Sequence, residues 1–374
     1  MIDKEIAEIR RRFRFGRNNI GHIHGCLVNE AKEIISEIDQ SLGLMSEEDA
    51  ERILKVIKKL LAGEVGRNLH DVDFSTKQVL EGEEYKLLAA LRSSELKDAD
   101  ALQRLYSKII ENFEYDGSYM ILLASDKYDV FANNADGSRN DESAEIFSYF
   151  VCAVCPIKTG KSNLTYYIPG KCFRSFCPDS LVTNPEVGFM FPAFDDRQTN
   201  IYGALYYTRD LSDSHVGLTE SLFSVNPPMP AKEQKVTFGS ILHETVADEC
   251  DMKLIKSVHG QIREMMEAHK EDKSEEPLTV GVDDLSEMLR FSGVSDEKTT
   301  AFEQKYEEEF GKDTEINPKN IADGKGIEVK TPEVTIKVNA GCGGVLETRV
   351  IDGEKYILVR ADGDVEVNGV NIHI

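Results

Sequence analysis

YFVCAVCPIKTGKS, residues 149–162, joins a Cys-x-x-Cys pair to a Gly-Lys-Ser, so it reads either as chemistry or as a strand with its exit turn. A phosphate-binding loop needs a glycine five residues ahead of the Gly-Lys pair, and Cys155 stands there. Such a loop must also open a helix whose amide dipoles face the phosphates, whereas the SNLTYYIP that follows reads as extended. The stretch therefore predicts a buried strand that ends in a turn. That reading sets the fold of its surroundings.

From Tyr119 to Tyr207 the chain repeats aromatic and β-branched runs: YMILLAS, KYDVF, IFSYFVCAVCPI, LTYYIP, VGFMFPAF and IYGALYY. Asn, Asp, Gly and Pro clusters separate them. Most intervening segments are too short for helical crossovers, so neighbouring strands should pair antiparallel. Upstream, MIDKEIAEIRRRF carries Ile6, Ile9 and Phe13 at helical spacing, and GHIHGCLV (21–28) reads as a strand. SEEDAERILKVIKKLLAG is the clearest helix, capped by Ser46, with Ile53, Val56, Ile57, Leu60 and Leu61 on one face and Gly63 as its stop. Two more helices are expected near 83–93 and 98–112. A helical region runs from Pro230 to His269, broken near Asp251, and two acidic helices lie near 283–291 and 296–310.

The fold class expected is α+β: a mainly antiparallel central sheet with the earlier helices packed on one face, then a helical segment and a small C-terminal β meander. The matching domains are an α+β main domain at 1–269, an acidic linker at 270–277, a small acidic helical segment at 278–326 and the meander at 327–374. Asp352-Gly353, Asp362-Gly363 and Asn368-Gly369 supply the tight turns of the last part.

Composition bounds the function. With 41% hydrophobic and 30% charged residues, the chain has the make-up of a folded globular protein. No apolar run is long enough to cross a bilayer, no apolar signal region opens the chain, and seven cysteines fit free thiols in a reducing cytoplasm. A net charge of −23 argues against coating nucleic acid or membrane over the whole surface. Almost half of that charge, −11, lies in residues 264–315, while residues 1–20 carry +3. Arg10, Arg11, Arg12, Arg14 and Arg17 are therefore the expected footprint for DNA or a nucleoid protein. No membrane partner is expected; a homo-oligomer is a further expectation.

Several candidate sites come from residue spacing. Cys152, Cys155, Cys172 and Cys177 give C-x2-C-x16-C-x4-C, four thiolates that could surround zinc. On a strand, residues three apart face opposite ways, so the first two converge only where the strand ends at Cys155; otherwise they are buried thiols. A redox pair would need a following helix. His22, His24 and Cys26 alternate and should share one strand face, as a metal patch or a half-exposed surface. LHETVADEC lacks the second histidine of a metalloprotease helix, where Ala247 stands, and NNADGSRNDES lacks both anchoring carboxylates of a calcium loop, at Ala132 and Ser143. Asp195, Asp196 and Arg197 close FMFPAFDDR; they could bind a cation or phosphate, or form a turn whose acid and base pair with each other.

LLAALRSSELKD, SYMILLASDKYDV, YFVCAVCPI, GFMFPAFDDR, ALYY and KEQKVTF, in this order, resemble an uncharacterised bacterial family, domain of unknown function forty-three seventeen, over roughly residues 1–300. The family's CxxCP element appears as Cys152, Cys155 and Pro156; Cys172 and Cys177 fall outside it. The resemblance transfers no activity. In the C-terminal third, the order LSEML, SGVSDEKTTAFEQKYEEEFG and KYILVRADGDVEVNG resembles the thirty-seven-kilodalton bacterial nucleoid-associated protein family, which implies association with the nucleoid. Every catalytic template lacks a required residue. A non-catalytic intracellular binding protein without a cofactor is the expected function. The alternative is a metal-dependent enzyme or metal-stabilised module using Asp195, Asp196 or the Cys152/Cys155 pair.

Overall fold

The structure, a computed structural model, describes the whole chain except residues 134–138, 159, 161–162, 177–180, 247–248, 273, 275, 323–325, 340–342, 362, 364, 368 and 373–374. The side chains of 131–133, 139–144, 163, 176 and 343 are likewise outside the description. Two compact units result: Met1–Ala231 with Glu275–Pro277, and Lys232–Ser274 with Leu278–Ile374.

The first unit is built on one sheet. Its elements are α1 (Asp3–Arg12), β1 (His22–Val28), β2 (Ile34–Ser41), α2 (Glu47–Ile57) with a 3-10 turn at Lys58–Leu61, β3 (Leu69–Asp73), α3 (Thr76–Glu81), α4 (Glu83–Ser93) and α5 (Ala99–Asn112). Then come β4 (Tyr119–Asn133), β5 (Arg139–Lys158), β6 (Asn163–Tyr167), β7 (Cys172–Phe176), β8 (Leu181–Val182), β9 (Val187–Phe191), β10 (Ala193–Asp195), β11 (Gln198–Asn200), β12 (Gly203–Thr208) and α6 (Val216–Phe223). The strands run in the order β2-β1-β4-β5-β9-β12-β3, with β8 also on β5, and every pairing is antiparallel. YMILLAS and KYDVF join into the single long strand β4.

Helices cover both faces of this sheet, where one covered face was expected. On one side Phe150, Cys152, Val154, Phe189 and Tyr206 pack with Leu88, Leu91, Leu105, Ile109 and Phe223 of α4, α5 and α6. On the other, Tyr149, Val151, Ala153, Cys155 and Met190 pack with Ile6 and Ile9 of α1, with Leu54 and Ile57 of α2, and with Leu60. The apolar run Tyr149–Pro156 is continuous for this reason: a strand covered on both faces has no solvent side to mark with polar residues. A Cβ at Gly188 would lie 2.3 Å from the Cys152 carbonyl oxygen and 2.3 Å from Leu60 Cδ2, so glycine there allows the close approach of β9 to β5 beneath the Lys58–Leu61 turn.

The second unit begins with α7 (Ala231–Val246) and α8 (Met252–Asp272), which the sequence had placed with the sheet. Their Phe238, Ile241, Leu254, Val258 and Ile262 share one core with Leu285, Leu289, Phe302 and Tyr306 of α9 (Val282–Phe291) and α10 (Asp296–Phe310). A short α11 (Pro318–Ile321) follows. The C-terminal strands pair two by two: β13 (Gly326–Lys330) with β14 (Thr335–Asn339), β15 (Leu346–Ile351) with β16 (Glu354–Val359), and β17 (Val365–Val367) with β18 (Val370–Ile372). Among the described residues the expected meander is thus three separate ladders. Among the described residues no helix is long and apolar enough to cross a membrane.

Candidate basic patch and its anchorage

The five N-terminal arginines do not act as one group. Arg12 turns inward, and its Nε and Nη2 donate to Asp126 Oδ2 and Oδ1 at 2.6 and 3.1 Å. Asp126 also accepts from the Asn19 N–H at 2.7 Å and from the Tyr149 hydroxyl at 3.0 Å. Its side chain is 1% exposed, so all its charge is met by protein donors. The Arg12 guanidinium lies 4.5 Å above the Tyr128 ring. Burial lowers the Arg12 pKa, but the Asp126 pair outweighs it and holds the group above its ordinary value.

Arg197 ties down the other side of α1. Asp196 and Arg197 have φ of 49° and 55°, the two left-handed residues of a two-residue turn between β10 and β11. The turn was expected, but its arginine pairs with α1 rather than with the neighbouring aspartates: Nε and Nη2 donate to Glu8 Oε2 and Oε1 at 3.2 and 2.9 Å. The Tyr128 hydroxyl donates to Glu8 Oε1 at 2.6 Å. Burial raises the Glu8 pKa, but the Arg197 and Tyr128 bonds prevail and hold it below its ordinary value. Asp195 accepts from Asn200 at 3.4 Å and stands 3.9 Å from the Met1 nitrogen, while Asp196 is exposed.

With α1 fixed in this way, its C-terminal end meets the Lys58–Leu61 turn. Arg10 Nη1 approaches the Leu61 carbonyl at 3.4 Å. Arg10 and Arg14 lie near enough to Lys58 to act on it: burial lowers its pKa, the two arginines lower it further, and Glu51 is the opposing charge. Arg11, Arg14 and Arg17 are exposed. Nothing in local spacing adds Lys58 to this group. Its helical position was legible; its placement beside α1 was not.

The remaining candidates are dispersed. β5 continues through Cys155 to Lys158, so Cys152 and Cys155 point into the two opposite cores, and the pair does not converge on one ion. Burial drives the Cys152 thiol well above its ordinary pKa and the Cys155 thiol up to about 12. Cys172 is exposed on β7, and Cys177 lies outside the described residues. His22 and His24 stack at 6.0 Å, and His22 Nδ1 bonds Asp39 at 2.6 Å; Cys26 is fully buried, its thiol pushed up to about 12 by burial and Glu37. Among the described residues no three His, Cys, Asp or Glu side chains are gathered as metal ligands. Residues 134–138 of the calcium-like loop, together with Lys161, Ser162 and Ala247, also lie outside the described residues.

One family model, Domain of unknown function (DUF4317), matches residues 1–370. The chain belongs to the DUF4317 family. The match runs past the expected end near residue 300, so the C-terminal third belongs to the same family pattern as the sheet. No curated protein matches this DUF4317 chain.

Proposed function

We propose that this DUF4317 protein is a non-catalytic binding protein that holds nucleic-acid phosphates on Arg10, Arg11, Arg14, Arg17 and Lys58. The juxtaposition of the α1 C-terminal end with the Lys58–Leu61 turn carries this reading. On a chain of net charge −23, gathering like positive charges has an electrostatic cost that a polyanion relieves, with counterion release as the driving force. Arg12 is the anchor and not part of the binding surface. The buried thiols Cys26, Cys152 and Cys155 accord with a reducing cytoplasm, where contact with the nucleoid would occur. Metal-dependent chemistry at Asp195, Asp196 or the Cys152/Cys155 pair finds no comparable support, because those groups are spread over a turn and two separate cores.

Fluorescence anisotropy with labelled DNA tests the proposal. The full chain should bind at low salt with affinity that falls steeply as salt rises. Arg10→Ala, Arg14→Ala and Lys58→Ala together should weaken binding and reduce the salt slope by about 1 for each cation removed. No binding at low salt, or a triple variant indistinguishable from the parent, rejects it.

A further inference from the structure

The Gly-Lys-Ser stretch has another consequence, since it leads into the β6–β7 ladder. Residues 146–178 contain no acidic side chain, while Lys158, Lys161, Lys171 and Arg174 give the segment +4 on a chain of −23. Every residue from 164 to 175 is exposed, so neither face of this ladder lies against the body. Tyr166 and Phe173 are directly paired across the strands, and their rings meet edge to face at 5.3 Å. They remain 51% and 69% exposed, with Leu164 at 72% on the same face and Ile168 at 75% in the connecting turn. On the opposite face the Arg174 guanidinium lies 4.1 Å over the Tyr167 ring.

Exposed rings, aliphatic neighbours and a local excess of positive charge on one ladder call for a partner that is both anionic and apolar on its faces. We infer that the β6–β7 ladder is a platform for single-stranded nucleic acid, with unpaired bases stacked on Tyr166 and Phe173 and phosphates met by Lys158 and Lys171. This rests on the nucleic-acid reading above and adds the form of the ligand. The five-residue strands are each about 17 Å long, roughly twice the screening length of about 8 Å at physiological salt. A thin strand lying along the ladder therefore has its nearest charges set by the basic 146–178 segment. An extended anionic bilayer carries the same sign as a chain of net charge −23, which disfavours it as the partner.

The test uses the full chain, a labelled oligodeoxythymidine of about 16 nucleotides, the matching duplex and vesicles containing phosphatidylglycerol. The parent should prefer the single strand to the duplex. Tyr166→Ala/Phe173→Ala should lose about tenfold in affinity for each ring removed, with an unchanged unfolding midpoint because both side chains are exposed. Equal affinity for duplex and single strand, or no loss in the double variant, overturns the inference. If the ring variant binds like the parent while the Arg10/Arg14/Lys58 variant is weakened, the ladder falls and the basic patch stands. Failure of the parent to bind any nucleic acid removes both, and vesicle capture without oligonucleotide binding assigns the ladder to lipid.

Discussion

Arg12 and Arg14 sit two positions apart in the same basic string and have opposite fates. Arg14 is exposed, whereas Arg12 forms a two-pronged pair with a carboxylate 114 residues further along. Removing one partner of such a buried pair leaves an uncompensated charge, which costs about 3–5 kcal/mol. Arg12→Ala should therefore lower the unfolding free energy measured in urea by an amount in that range, and the midpoint with it, while Arg14→Ala should change stability by less than about 0.5 kcal/mol. Equal midpoints for the two variants would contradict the burial argument. The sequence shows that both residues are cationic. It does not show which one faces Asp126, because that is fixed by the path of β4 and not by local spacing.

At the scale of elements, the docking of α1 follows two separate rules. Its apolar seam, Ile6, Ile9 and Phe13, was legible from helical spacing, and all three are buried. Its polar seam was not, because Glu8 finds Arg197 across 189 residues of chain. The folded pKa of Glu8 lies below its ordinary 4.5, so the stabilisation from this pair is complete above that value and is lost as pH falls through the folded pKa. At pH 7 Glu8→Gln should cost about 1 kcal/mol, and the gap between variant and parent should close in acid. A gap independent of pH in chemical denaturation would rule out the charge pair as its source. The same limit explains two missed strands. β3 pairs with β12, more than a hundred residues later, and β2 is an edge strand with a largely exposed pattern. Neither carries a strong local signal.

Charge is a property of the whole molecule. The −23 total was read directly from composition, as was the concentration of −11 in residues 264–315. Such an excess opposes the compact state through self-repulsion, and added salt screens it. The thermal midpoint should rise as salt is raised from a few millimolar towards physiological strength; a fall would mean that attractive ion pairs dominate instead. The division into units was harder to read. The acidic string KEDKSEEP suggested a boundary near residue 270, but the cores divide at Ala231, because the apolar faces of α7 and α8 are completed by α9 and α10.

By itself the sequence determined the α+β class, the antiparallel pairing of the Tyr119–Tyr207 strands, the buried character of the Cys152 segment and the place of the positive charge. These follow from periodicity, short connections and composition, all of which act over neighbouring residues. Tertiary structure decided that both sheet faces are covered, that Arg12 is an anchor, that Lys58 joins Arg10 and Arg14, and that Tyr166 and Phe173 stand exposed. The first three depend on residues brought together across long stretches of chain, selected by packing and desolvation in the assembled core; the last follows because the core takes up neither face of the β6–β7 ladder.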